Sequence, residues 1–404
     1  MDISYSKGDL HLSLVVISVF MGLFAVNFAA DIENTFPGLY SAASFISKIT
    51  ILILFLFCLP TVIRRIDAFI ILFFLCYVLV ILCNYLLFPQ TRILLQGTVS
   101  YFLLTCAPPF ICFYTIQNYD IFWCLLKRSC HIFCIALIIL FSITKIAGIP
   151  INNGNYSMGL SYACLLPVSV ELLTAFLDRK ASHIILCIFS TIIIMLIGSR
   201  TPILSLIILF AILTVKNFKQ IKHPSIILIL VLTILITVIF REEIFGAINN
   251  YFEARNIFIR TIYLFAQPGI HLSGRDILQK PLLQQLFNNP FAIRGIHSDM
   301  VAIGTYAHNL FLELLYQFGF ILSLPLLAAL IGLSISSIKG NLKSADGQVA
   351  LILFCTSIPE LMVSGTFWRS ISFWMWVAVC MRVMTRKKRL VNITFQGGYH
   401  VLEK

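Results

Sequence analysis

Charge is what this chain has least of. Asp, Glu, Lys and Arg make up 11% of its 404 residues, 59% are hydrophobic, and the mean hydropathy is +0.96. A soluble domain carries about 25% charged residues, so a soluble globular enzyme is excluded. Strict polar–apolar alternation is missing too. The apolar runs are long and continuous, which excludes a transmembrane barrel and leaves helices. Acidic residues are scarcer than basic ones, 17 against 29, for a net charge of +12. The basic excess sits in short tracts between apolar runs, which is the positive-inside pattern and not a nucleic-acid-binding face. No nucleic-acid partner is expected.

Cysteine is present in twelve copies, but none falls in the segments read as outward-facing, so no disulfide framework is implied. Cys130 and Cys134 have helical spacing without a histidine or carboxylate to complete a ligand set, and are read as packing. No metal and no other cofactor is expected. The first apolar run, Leu12 to Ala30, lacks a cleavage site and reads as an anchor, not a removable signal.

Apolar runs fall near 12–30, 40–60, 68–88, 94–116, 121–146, 157–177, 182–197, 201–215, 225–240, 306–335, 347–363 and 370–385. At about 20 residues per span, twelve spans use about 240 residues, close to the apolar share of the chain. Lys7, Arg64–Arg65, Lys127–Arg128, Arg179–Lys180, Lys216/Lys219/Lys222, Lys339/Lys343 and Arg386–Arg389 occupy every second connection. The expectation is an all-α polytopic protein of about twelve transmembrane helices with both termini cytoplasmic. Spans one to nine occupy 1–241, a large outer loop 242–304, spans ten to twelve 305–390, and a cytoplasmic tail 391–404.

The long loop has its own helical signals. Ser273 with Asp276 resembles a capping box, followed by Leu278, Leu282 and Leu286 on one face. Pro281 is expected to kink that helix, and Asn288-Asn289-Pro290 to stop it. A surface-lying hairpin over a cavity would fit. The runs 182–197 and 201–215 are short for a span, so the turn Gly198-Ser199-Arg200-Thr201 should draw Arg200 to membrane depth, where an arginine needs an anion or a polar cavity.

The outer face carries Arg92, Arg200, Arg241, Arg255, Arg260, Arg275, Lys280, Arg294 and Arg369. Such cations on the side the rule leaves poor need an anionic partner, and guanidinium groups match phosphate oxygens bidentately, which points to a diphosphate. Arg275 in a first helical turn defies the macrodipole but makes an anion cradle with the free N–H groups. Thr305 is expected to cap the tenth span, with His308 in its first turn, kept neutral there and able to act as general base. Asn309 and Glu313, four residues apart, suit each other or sugar hydroxyls. Glu360 also needs a partner, whereas Glu171 reads as structural. Tyr156, Tyr251, Tyr306, Trp368 and Trp374 suit either sugar stacking or an interfacial belt.

The turn Gly198-Ser199-Arg200-Thr201, the segment Ser273-Gly274-Arg275-Asp276 with Asn289-Pro290, and Tyr306-Ala307-His308-Asn309 with Gly319 eleven residues past the histidine together resemble the bacterial O-antigen polymerase and ligase superfamily of Wzy and WaaL types. The likeness is strongest from about 190 to 325. It implies a GT-C-like inner-membrane glycosyltransferase with its site facing the periplasm, the long loop being periplasmic. It implies no metal, and a glycan donor carried on undecaprenyl diphosphate. By that resemblance Arg200 and Arg275 engage the diphosphate and His308 is the base, the positions that topology and charge also single out. Asn309, Glu313, Tyr306, Arg369, Arg294 and Glu360 are the expected substrate-binding residues. Membrane lipids and a chain-length regulator protein are the further partners.

The run Tyr306 to Glu313 looks more like the polymerase branch, and Leu322 departs from the ligase pattern. The spacing of Arg200 and Leu204 fits the ligase, which stays as the alternative. A flippase is the other class to weigh. Transporters are commonly built from internal repeats; the two halves here show no similarity, and the polar outliers gather on one face.

Overall fold

The computed structural model describes residues 6–149, 157–217, 240–255, 259–267 and 274–399, and among them every regular element is helical. Continuous apolar sequence takes this form because only a helix satisfies its own backbone inside hydrocarbon. In chain order the helices are α1 (Lys7–Asp31), α2 (Leu39–Arg65), α3 (Ala68–Leu87), α4 (Arg92–Tyr101), α5 (Ala107–Thr115), α6 (Tyr119–Ile146), α7 (Met158–Asp178), α8 (Ala181–Ile197), α9 (Arg200–Asn217), α10 (Arg241–Glu253), α11 (Arg260–Ala266), α12 (Arg275–Asn288), α13 (Ser298–Ile303), α14 (Leu310–Lys339), α15 (Ala345–Leu361) and α16 (Ile371–Tyr399). Between α4 and α5 a wide turn spans Phe102–Cys106, where Pro108 and Pro109 withhold two N–H donors.

Among the described residues, seven stretches are long and apolar enough to cross a membrane: α1, α2, α3, the α4–α5 stretch Pro89–Thr115, α6, α7 and α14. The chain is therefore a multi-pass helical membrane protein. Each expected apolar run coincides with a helix except 225–240, which lies, but for Phe240, outside the described residues. Phe57, Leu72 and Leu79 on α2 and α3 are exposed, as side chains meeting lipid are.

The chain divides into two compact units. The first comprises residues 1–19, 50–125 and 281–404. Here α16 packs on α5 and α15, around an aromatic core in which Tyr77 and Phe102 stack at 4.2 Å and Phe102 meets Trp374 at 5.1 Å. Trp374 is buried in that core, so the expected role of an interfacial or sugar-stacking ring falls away. Arg65, closing α2, pairs with the buried Asp9, which also accepts from the Gln117 N–H at 2.9 Å. A buried pair is tolerable when its remaining bonding capacity is met in this way.

The second unit comprises residues 20–49 and 126–280, with α7 packed on α8 and α9. Leu160, Cys164, Leu165 and Val168 on α7 meet Phe24, Phe133, Cys134, Leu137, Ile193, Ile194 and Ile197 in its core. The twelve cysteines are all free thiols, and Cys130 and Cys134 are buried. In the long connection α10 and α11 form a helical pair, Phe245 against Phe265 at 5.0 Å, and α11 rests on α8.

Candidate functional site

Arginine opens four helices in the second unit: besides Arg241 at α10, Arg200 begins α9, Arg260 begins α11 and Arg275 begins α12. Arg260 and Arg275 lie near enough for their positive charges to bear on Arg200. What brings Arg200 there is the hinge before it. Gly198 ends α8 at φ 95, a left-handed conformation that glycine adopts without strain, and the Ile197 carbonyl takes the Ser157 N–H at 3.1 Å. Each guanidinium sits where the macrodipole disfavours a cation by roughly 0.3–1 kcal/mol. Two further positive charges therefore bear on the start of α9. Helix N-termini with added arginines bind phosphate groups well.

In the first unit a polar network adjoins the residue before His308. The N–H of Ala307 donates to Asp299 Oδ2 at 2.9 Å, and Gln317 Nε2 donates to Asp299 Oδ1 at 2.8 Å. The Trp368 indole donates to Gln317 Oε1 at 3.0 Å. Glu313 accepts from Gln317 at 3.3 Å and from the Thr366 hydroxyl. Asp299, Glu313, Gln317, Thr366 and Trp368 are all buried. Burial pushes the Asp299 carboxyl up, while bonds from Gln317 and the Ala307 N–H pull it down. His308 follows this anchor with φ 52, a left-handed backbone rare outside glycine, and its ring lies 4.2 Å from Tyr306.

Gly319 makes the network possible by breaking α14. Its φ of 66 and ψ of 169 belong to a region open only to glycine. A Cβ there would stand 2.8 Å from the Phe291 carbonyl oxygen. The break frees the Gln317 carbonyl, which accepts the Arg294 and Gly295 N–H groups, each at 3.0 Å, while the Phe320 N–H donates to the Pro290 carbonyl at 2.9 Å. Residues 290–295 are thus bonded into the gap. Non-helical backbone at membrane depth persists only where protein buries it or a cavity lies beside it.

The expected residues fall into both units. Arg200 and Arg275 come together in the second; His308, Tyr306, Asn309, Glu313, Arg294, Arg369 and Glu360 belong to the first. Thr305 does not cap the tenth span. Asn309 does, accepting from the Phe311 and Leu312 N–H groups at 3.0 and 3.1 Å, so His308 precedes the helix and is not in its first turn. The displacement arises because Gly304 turns left-handed and Asp299 takes the Ala307 N–H. Asn309 and Glu313 do not pair through their side chains; one caps and the other bonds Thr366 and Gln317. α12 runs through Pro281 and ends at Asn288, where the stop was expected, with Leu282 and Leu286 buried against Ala307, Leu312 and Tyr316. Ser273 and Tyr156 lie outside the described residues.

Arg294 donates to the carbonyls of Gln285, Asn289 and Ala292 at 2.7 to 3.2 Å and lies over the Tyr316 ring, closing the end of α12. Exposed Arg369 donates to Thr98 Oγ1 at 3.2 Å, and the same hydroxyl meets His297 Nε2 at 2.7 Å. Arg369 and Glu360 both bear electrostatically on Tyr101. Burial, then the Arg369 charge, lowers the buried His297 to about 4. His297, Asp299, Gln317, Thr98 and Tyr101 escaped the sequence reading because their partners lie far away in the chain. The one local signal was polarity, Gln317 and Glu313 within an apolar run. No family model, curated protein or solved structure matches this chain.

Proposed function

We propose that this protein is an O-antigen polymerase, an inverting glycosyltransferase joining undecaprenyl-diphosphate-linked oligosaccharide repeat units at the periplasmic face of the bacterial inner membrane. In this reading the fold is GT-C-like with twelve spans and cytoplasmic termini, and 242–304 is the periplasmic loop. The observation that carries it is the gathering of Arg200, Arg260 and Arg275, each at a helix start.

The arginines hold the donor diphosphate and offset the charge that grows on its departing oxygen, an effect worth about 3–4 kcal/mol per donor. The acceptor sugar hydroxyl attacks the anomeric carbon. As the new C–O bond forms, the bond from that carbon to the diphosphate oxygen breaks, and His308 takes the hydroxyl proton. A single displacement inverts the anomeric configuration. The left-handed backbone of His308, held through Ala307 and Asp299, supports a positioned base. Tyr306, Asn309, Glu313, Arg369, Arg294 and Glu360 are the proposed surroundings of the substrate in this reading. Membrane lipids and a chain-length regulator are the other partners.

The test is complementation of a deletion strain with Arg200→Ala, Arg275→Ala or His308→Ala at normal expression. The expected result is lipid A core bearing a single repeat unit, with polymerisation reduced about 100-fold or more. Arg275→Lys should also impair it, since an ammonium lacks the bidentate fork. Bare core would point to the ligase, and repeat units trapped in the cytoplasm to the flippase. Full-length ladders from all three alanine variants would overturn the mechanism.

A further inference from the structure

In the second unit three side chains from three helices converge away from the arginines. His131 on α6 places Nδ1 3.2 Å from Glu171 Oε1, and His183 on α8 places Nδ1 2.7 Å from Glu171 Oε2. Glu171, on α7, is 1% exposed, while His131 and His183 are 32% and 15% exposed. The two imidazoles meet edge to face at 5.1 Å, and one ligand atom from each of the three residues lies within 4.8 Å of the others. Sequence spacing alone makes Glu171 structural and offers no ligand set beside Cys130 and Cys134. The set involves the histidine between those cysteines, with partners 40 and 52 residues further on.

We propose that His131, Glu171 and His183 bind a divalent transition metal, with Zn(II) the ion that best suits them. Two imidazoles and one carboxylate are the donors of many open zinc sites, whereas Mg(II) and Ca(II) favour all-oxygen shells. Ligands about 2.1 Å from a tetrahedral ion stand about 3.4 Å apart, so the observed separations need only small side-chain rotations. The ion takes the position of the protons now shared between the Nδ1 atoms and the carboxylate oxygens, and its charge offsets the buried carboxylate of Glu171. The partly open histidines leave a path in and a fourth position for water. His183 stands near the start of α8 and Arg200 beyond its far end, about 20 Å of helix away. The metal therefore braces α6, α7 and α8 and takes no part in chemistry at the arginines.

Purified protein carrying no histidine tag, stripped with chelator and titrated with Co(II), tests the site. One equivalent should bind with the visible absorption of a tetrahedral ion, be displaced by Zn(II), and raise the melting temperature. In His131→Ala/His183→Ala, affinity should fall by more than about 100-fold, beyond the loss of an outer-shell partner. His183→Cys should keep the ion and add a sulfur-to-cobalt charge-transfer band, which a merely hydrogen-bonding triad would not produce. Co(II) uptake equal in wild type and double variant, or a cysteine variant without that band, would overturn the proposal.

Discussion

His297 shows what a single buried polar side chain does to this fold. It is 1% exposed, and its Nε2 is held by Thr98, which Arg369 also binds. Burial and the nearby guanidinium favour the neutral ring and bring it to about 4. An unfolded histidine titrates near 6.5. The native state therefore binds fewer protons than the unfolded state between those values. Stability from this group is complete above about pH 6.5 and is lost as the pH falls towards 4, by about 3 kcal/mol in all. Melting of the purified protein in detergent should shift downward across that window, and His297→Gln should flatten the shift. An unchanged slope in the variant would assign the pH dependence elsewhere.

At the scale of elements the break in α14 is the decisive feature. In Gly319→Ala the new Cβ meets the Phe291 and Ala292 carbonyl oxygens at 2.8 and 2.9 Å, and the backbone must leave a conformation closed to alanine. A loss of at least about 1–3 kcal/mol is expected, read as a lowered melting temperature. Gly332→Ala, further along the same helix with nothing near its Cβ, should leave it unchanged or slightly raised. Hydropathy placed α14 but not its break, because Gly319 lies within the apolar run and the strain is set by residues 290–295. The apolar helices among the described residues were legible for the same reason that detail was not: hydrocarbon demands long apolar runs, and those runs carry few other signals. Helix ends depended on local competition. Asn309 outcompeted Thr305 as a cap once Asp299 had claimed the Ala307 N–H. Arg200 and Arg275 were legible as cations out of place. Their gathering with Arg260, and the network around His308, depend on contacts between distant segments.

For the molecule as a whole, the distribution of basic residues makes a prediction about sidedness that the proposed chemistry depends on. Arg65 closes α2, Arg179 and Lys180 lie between α7 and α8, and Lys339 closes α14. The positive-inside rule assigns those ends to the cytoplasm. Arg255 and Arg260 belong to the long connection and must lie on the opposite side if the donor diphosphate is periplasmic. Between Lys216 and Arg255 stands the apolar run 225–240, so these two positions report whether that run crosses. Alkaline phosphatase fused after Gly148 or Arg255 should be active, and fused after Ile66, Lys180, Lys216 or Asn341 inactive. A fluorescent protein that matures only in the cytoplasm should give the converse pattern. Inactive phosphatase fusions at both Lys216 and Arg255 would leave Arg255 and Arg260 facing the cytoplasm, where a periplasmic polymerase has no use for them. Because α8 has 17 residues and rises about 26 Å, less than the roughly 30 Å core, Arg200 should remain below the outer surface even with the correct sidedness. A cysteine at Arg200 should accordingly react with a membrane-impermeant thiol reagent more slowly than one at Arg255.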